Sequence, residues 1–80
     1  MNIVPDSIVV ASEEFFSFVV HEEELLDAID MRVVPADFPV ESLRGLKILE
    51  YRTTRKSKDY FRVMFRHAPN PKSPVKLEGK

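Results

Sequence analysis

The sequence predicts an α+β fold, in which a small antiparallel sheet of three to four strands carries one main helix packed on one face. Three segments lead to this prediction. In residues 47–67, two runs rich in β-branched and aromatic side chains flank five polar residues, which is typical of a β-hairpin. Residues 15–20 (FFSFVV) have strand composition, and residues 21–31 (HEEELLDAIDM) place apolar side chains at helical spacing.

The first predicted element is a short strand at residues 7–11 (SIVVA), because a Pro5-Asp6 turn signal precedes it. The next segment is ambiguous. Ser12 followed by two acids is how a helix often begins. Residues 15–20 nevertheless favour a strand, since β-branched and aromatic side chains are poor helix formers.

A strand at residues 15–20 is apolar on both faces and therefore needs cover on both sides. With about one helix in an 80-residue chain, we expect a second copy of the protein to supply one cover, which predicts a homodimer. The two faces carry Phe16, Phe18 and Val20 on one side and Phe15, Ser17 and Val19 on the other.

The helix at residues 21–31 is amphipathic, with Leu25, Leu26 and Ile29 on its apolar side. Its acids cluster near the amino-terminal end, where they suit the helix dipole, so no metal or catalytic role is predicted for them. His21 is expected to be an exposed entry residue. The acids on the polar side are Glu22, Glu23, Asp27 and Asp30.

The segment after the helix is expected to be irregular, because Pro35 and Pro39 end regular structure. Residues 40–43 are predicted to form a short helical turn. Gly45 follows this turn, where a glycine allows the backbone to bend at a helix end.

The predicted hairpin has a five-residue polar loop and two sorted faces. The core face is expected to carry Leu49, Tyr51, Phe61, Val63 and Phe65, and the opposite face Ile48, Glu50, Arg52, Thr54, Tyr60, Arg62, Met64 and Arg66. Two registers fit this sorting. In one, Thr54 pairs with Tyr60 and Arg52 faces Arg62; in the other, which we favour, Thr54 pairs with Lys58 and Glu50 faces Arg62.

One domain is predicted over residues 1–67, followed by a proline-rich tail over residues 68–80. The chain has no cysteine, no apolar run of membrane-spanning length and no signal peptide, which predicts a cytoplasmic protein.

The charges are divided between the two halves of the sequence. Residues 1–42 hold ten acidic residues and one basic residue, whereas residues 43–80 hold eleven basic and three acidic residues. Such asymmetry indicates either a charged partner or two halves that neutralise each other.

No arrangement of residues predicts an enzyme, a cofactor or a metal site, because there is no cysteine and the two histidines stand apart from any nucleophile motif. We therefore predict a non-enzymatic binding or regulatory module. Its hairpin is expected to bind RNA, single-stranded DNA or an acidic partner, with cations on phosphates and a ring stacked on a base. The candidate residues are Arg52, Arg55, Lys56, Lys58, Tyr60, Arg62 and Arg66.

Residues 43–65 read LRGLKILEYRTTRKSKDYFRVMF, with a leucine-rich turn, a Glu-x-Arg strand and a second strand bearing Tyr, Arg and Val. This stretch resembles the central hairpin of the RelE/ParE-type toxins. The resemblance implies a ribonuclease with Arg52, Arg62, Arg66 and the Lys56/Lys58 loop as phosphate contacts. It covers less than a third of the chain.

A further alternative is a protein-interaction module that docks its acidic half on a basic protein surface. The candidate interface residues, including those of the predicted dimer, are Phe15, Ser17, Val19, Glu22, Glu23 and Asp27.

Overall fold

The computed structural model describes residues 2–69, which form a four-stranded antiparallel sheet with one α-helix. The elements are β1 (Val9–Val10), β2 (Phe15–His21), α1 (Glu22–Ile29), a 3₁₀ turn (Glu41–Leu43), β3 (Ile48–Ser57) and β4 (Tyr60–His67). The strand order is β1-β2-β4-β3, so the long hairpin supplies one central strand and one edge strand. The predicted α+β class is confirmed. Most of the predicted proline-rich tail, residues 70–80, lies outside the described residues.

The core lies between one face of the sheet and a layer made by α1 and the irregular segment that follows it. Four phenylalanines form its centre, and the Phe16 ring lies 5.3 Å from that of Phe65 and 5.7 Å from that of Phe38. Burying each large apolar side chain contributes about 1.5–3 kcal/mol. The buried apolar residues are Phe16, Phe18, Val20, Ala28, Val34, Phe38, Leu43, Leu46, Val63 and Phe65.

Residues 15–20 form a strand, as predicted, because β2 is hydrogen-bonded on both sides. The strand before it is shorter than expected, and covers Val9–Val10 rather than residues 7–11. Ser7 belongs to a turn instead: its amide donates to the Val4 carbonyl at 3.2 Å, and Asp6 within this turn has a φ of 62°. At the other end, the Ala11 amide donates to the Phe15 carbonyl and turns the chain into β2.

The predicted helix is confirmed, although it ends at Ile29 instead of residue 31. Its buried stripe differs from the predicted one. Ala28 is fully buried and Leu25 and Ile29 pack against the core, whereas Leu26 is 74% exposed. Leu26 lies outside the stripe because positions 25, 28 and 29 share one face of a helix. Within residues 2–69, no helix is long and apolar enough to cross a membrane.

The hairpin register differs from both predicted registers. Thr54 lies opposite Arg62, Arg52 opposite Met64, and Glu50 opposite Arg66. The predicted pairings of Arg52 with Arg62 and of Glu50 with Arg62 are therefore wrong.

The register differs because the loop is shorter than the predicted five polar residues. The strand β3 continues to Ser57, leaving a two-residue turn before Tyr60, with a bulge at Lys56. The Arg55 guanidinium lies 4.6 Å from the centre of the Phe61 ring and donates from Nη1 to the Lys58 carbonyl at 2.8 Å. These contacts allow a charged segment to remain a strand up to the turn.

Tyr51 lies on the predicted core face, opposite Phe65, but it is 48% exposed rather than buried, and Leu49 is 44% exposed. The helix packs mainly against β2 and β4, so it leaves the edge strand β3 largely uncovered. A bulge at Leu49 also places Ile48 on the core face of the sheet, where it lies opposite His67 and packs against the core. The prediction that Ile48 shares the arginine face is therefore wrong.

The segment between α1 and β3 contributes more to the core than its prolines indicated. The Val34 amide donates to the Leu46 carbonyl, and the Gly45 amide donates back to the Val34 carbonyl at 3.0 Å. Gly45 has a φ of 78°, which confirms its predicted role at the end of the short helical turn.

Candidate functional site

The sheet face opposite the core, called the open face here, carries most of the candidate residues. Within residues 2–69, the only α-helix lies on the other face. The register sorts the open face into cross-strand rows: Phe15, Arg66 and Glu50; then Val9, Ser17, Met64 and Arg52; then Val19, Arg62 and Thr54; then His21, Tyr60 and Ser57. The open face therefore mixes cations with apolar side chains.

Arg62 is held by the protein itself. Its Nη1 donates to the Ser17 hydroxyl at 2.9 Å and to the Ser7 carbonyl at 3.3 Å. The Ser7 hydroxyl accepts in turn from the Val19 amide at 2.9 Å. Arg62 therefore joins the centre of the sheet to its amino-terminal edge, and it satisfies a hydroxyl on a residue that is only 5% exposed.

Arg66 is paired with two carboxylates. Its Nε donates to Glu50 Oε2 at 2.6 Å, and its Nη1 lies 3.7 Å from Glu14 Oε1. The contact with Glu14 links the acidic half of the sequence to the basic half. Among residues 2–69 it is the only ion pair that joins a lysine or arginine of the basic half to a carboxylate of the acidic half, so direct contacts neutralise little of the charge on either half.

Four other cations lie on the edge strand and its turn, and they form what we call the basic edge: Arg52, Arg55, Lys56 and Lys58. All four are exposed, and no carboxylate in the described part of the chain pairs with any of them. The basic edge is the part of the hairpin whose charge is available to a partner.

Tyr60 adds an aromatic ring beside the basic edge. Its side chain is on the open face, is 39% exposed and meets the His21 ring edge-to-face with 5.3 Å between ring centres. The His21 Nδ1 accepts from the Glu23 amide at 3.1 Å, so His21 stands at the helix entry, as predicted, and is the N-cap of α1 with a partly exposed side chain. The capped helix thus holds one side of the Tyr60 ring.

A depression of about 460 Å³ lies on the open face beside the basic edge. Its lining combines three apolar or aromatic side chains with three charged ones. The lining residues are Phe15, Glu50, Tyr51, Arg52, Met64 and Arg66.

The predicted interface residues do not form one surface. Phe15, Ser17 and Val19 lie on the open face, whereas Glu22, Glu23 and Asp27 lie on the helix. Phe15 is 37% exposed, but Ser17 is buried beneath the Arg62 guanidinium, so only part of the predicted apolar contact is accessible.

Sequence reasoning missed the accessible pair of Tyr51 and Leu26. The sequence predicts Tyr51 on the core face of the sheet and Leu26 on the apolar side of the helix. Leu26 is exposed because the buried stripe of the helix runs through positions 25, 28 and 29. The exposure of Tyr51 depends on how far the helix extends over the sheet, and side-chain periodicity does not contain that information.

No group of three histidine, aspartate or glutamate side chains within residues 2–69 is placed to hold a metal ion. His67 is buried in the core, where its Nδ1 donates to the Ala68 carbonyl at 2.8 Å, and it is remote in sequence and register from the basic edge.

The RelE/ParE-type toxins carry paired amino-terminal helices before the hairpin, whereas within residues 2–69 a single α-helix precedes it. No protein-family model, curated protein or solved structure matches the chain.

Proposed function

We propose that the protein is a non-enzymatic binding module whose basic edge binds single-stranded nucleic acid. The observation that carries this proposal is the group of four exposed cations without carboxylate partners in the described part of the chain, next to an exposed tyrosine ring. Cations can follow a phosphate backbone while an aromatic ring stacks on a base. A cytoplasmic location is part of this proposal.

Arg62 and Arg66 receive a smaller part in binding than the sequence alone indicated. Arg62 is hydrogen-bonded to Ser17 and Ser7, and Arg66 to Glu50. A phosphate would have to replace these contacts, whereas within residues 2–69 Arg52, Lys56 and Lys58 have no side-chain hydrogen bond or ion pair to give up, and of the basic edge only Arg55 is engaged, with the Lys58 carbonyl and the Phe61 ring. Charge on an edge strand also prevents unwanted strand pairing, and this is the competing explanation for the same residues.

The experiment measures binding of a labelled single-stranded RNA, and of a matched DNA, as a function of salt concentration. Each neutralised phosphate releases counterion, so we expect the salt slope to fall by roughly 0.7 units when one phosphate-binding cation is replaced. Arg52→Glu and Lys56→Glu should each produce such a fall. Arg32→Glu is the matched control, because it makes the same change in net charge as Arg52→Glu at a residue outside the basic edge.

If the protein binds neither nucleic acid at about 50 mM salt, where phosphate contacts are strong, the proposal is overturned. The charges of the basic edge would then be explained by protection of the edge strand against unwanted pairing. An equal effect of the Arg32 control would also overturn the proposal. The length of the RNA is followed in the same samples. Shortening that depends on Arg62 would contradict a non-enzymatic module and favour the toxin-like ribonuclease.

A further inference from the structure

The outer side of α1 presents a stripe that folding does not use. Glu23, Leu26, Asp27 and Asp30 recur at the spacing of one helix face, and all four lie on the solvent side of the helix. Leu26 is the most exposed large apolar residue of the described chain, at 74%. Between this stripe and the edge strand lies a groove of about 400 Å³, which we call the helix–edge groove, lined by Leu26, Asp27, Ile29, Asp30 and Tyr51.

The two aspartates of the groove lie at the carboxyl end of α1, where the helix dipole disfavours negative charge. Asp27 lies in the last turn of α1 and Asp30 is its C-cap, and no basic residue occupies that turn. The carboxyl end of a helix carries partial negative charge, so carboxylates there destabilise it while cations are favoured. No lysine or arginine in residues 2–69 forms an ion pair with either aspartate. The two aspartates and the helix dipole therefore all favour a cation in the groove.

The apolar lining selects the kind of cation. Tyr51 is 48% exposed and offers a ring, while Leu26 and Ile29 offer aliphatic surface. A guanidinium stacks on aromatic rings and pairs with carboxylates through parallel hydrogen bonds, and its stem packs on apolar side chains. We propose that the helix–edge groove binds an arginine side chain from a basic segment of another protein. This surface is separate from the basic edge and does not depend on nucleic-acid binding.

The experiment measures binding of a short labelled peptide with two arginines in a glycine-serine background, at about 50 mM salt. A peptide with glutamine in place of both arginines is the matched control. The protein variant Asp27→Asn with Asp30→Asn should bind the arginine peptide at least tenfold more weakly. Glu13→Gln with Glu41→Gln removes the same charge at exposed positions outside the groove, and it should change the dissociation constant by less than twofold.

Removal of two carboxylates from the carboxyl end of α1 should raise the thermal midpoint of the Asp27→Asn, Asp30→Asn variant. If its midpoint is equal to or higher than that of the unmodified protein, its weaker binding cannot be attributed to unfolding. Leu26→Ser tests the apolar lining separately and should weaken binding at least threefold. Equal binding of the arginine and glutamine peptides, or equal weakening by the groove and control variants, would overturn the proposal. Neither result would bear on RNA binding by the basic edge.

Discussion

The Arg62 side chain has two neighbours that explain its position without a ligand. The buried Ser17 hydroxyl and the Ser7 carbonyl both accept from its guanidinium. An arginine that is only a phosphate contact would have no such partners on its own sheet. Arg62 is therefore the residue at which a structural role can be separated from a binding role by measurement.

We expect Arg62→Met to lower the free energy of unfolding by about 1–3 kcal/mol, because the Ser17 hydroxyl then stays buried without this partner. In a Ser17→Ala background the same change should cost about 0.5–1.5 kcal/mol less, since no hydroxyl remains to be satisfied. Urea unfolding of the four proteins in this cycle measures the difference. Additive effects would show that the hydrogen bond between Arg62 and Ser17 contributes nothing to stability.

The sequence could place Arg62 on a strand face but could not identify its partners. Side chains alternate along β4, so Arg62 and Val63 lie on opposite faces of the sheet in every register. The face of Arg62 was therefore predictable. Ser17 is distant in sequence, and its contact with Arg62 exists only because β2 lies next to β4. For the same reason, the pairing of Arg66 with both Glu50 and Glu14 could not be read from either strand alone.

At the scale of elements, α1 begins where β2 ends, and His21 belongs to both. Its backbone closes the strand, and its Nδ1 caps the helix by accepting from the Glu23 amide. The Glu22 amide donates to the Asp59 carbonyl in the hairpin turn at 2.8 Å. The start of the helix is thereby fixed to the hairpin.

We expect His21→Ala to destabilise the protein by about 0.5–2 kcal/mol through removal of the cap. His21→Asn should retain most of that stability, because asparagine is a good N-cap residue, although it gives up the ring contact with Tyr60. Thermal and urea unfolding of the two variants measure the difference. An asparagine variant as unstable as the alanine variant would show that the Tyr60 contact, and not the cap, is what His21 contributes.

Element types were predictable, but element lengths were less so. Composition distinguished strand from helix in residues 15–20, since phenylalanine and valine fit a sheet that is covered on one side and bonded on both edges. The length of β3 depends on Arg55 stacking on Phe61 and donating to the Lys58 carbonyl. These contacts form only after the hairpin closes, so the polar composition of residues 55–59 indicated a loop.

At the scale of the whole molecule, the predicted homodimer stays a prediction, with the open face as its contact. Phe15 and Met64 are 37% and 40% exposed on that face. Arg62 already covers Ser17, so part of the cover that β2 needs is supplied within the chain. A dimer would therefore bury the rows of Phe15 and Met64 rather than the whole of β2.

We expect the unmodified protein to sediment as a dimer and Phe15→Lys with Met64→Lys to sediment as a monomer, because an unpaired charge in an apolar contact costs several kcal/mol. Leu26→Glu is the control, since it introduces a charge at an exposed apolar residue on the other side of the molecule. A monomer in the unmodified protein at the highest concentrations measured would remove the dimer.

The order of strands in the sheet has a consequence for how the chain is made. β2 leaves the ribosome long before its central partner β4, because the paired residues Phe18 and Val63 are far apart in the sequence. At about 5–20 residues per second, β2 waits roughly 2–9 seconds for that partner. During this interval the segment FFSFVV is an uncharged, β-prone stretch of the kind that aggregates. Slower synthesis lengthens the interval, so the yield of folded protein should depend on the rate of translation between residues 21 and 67.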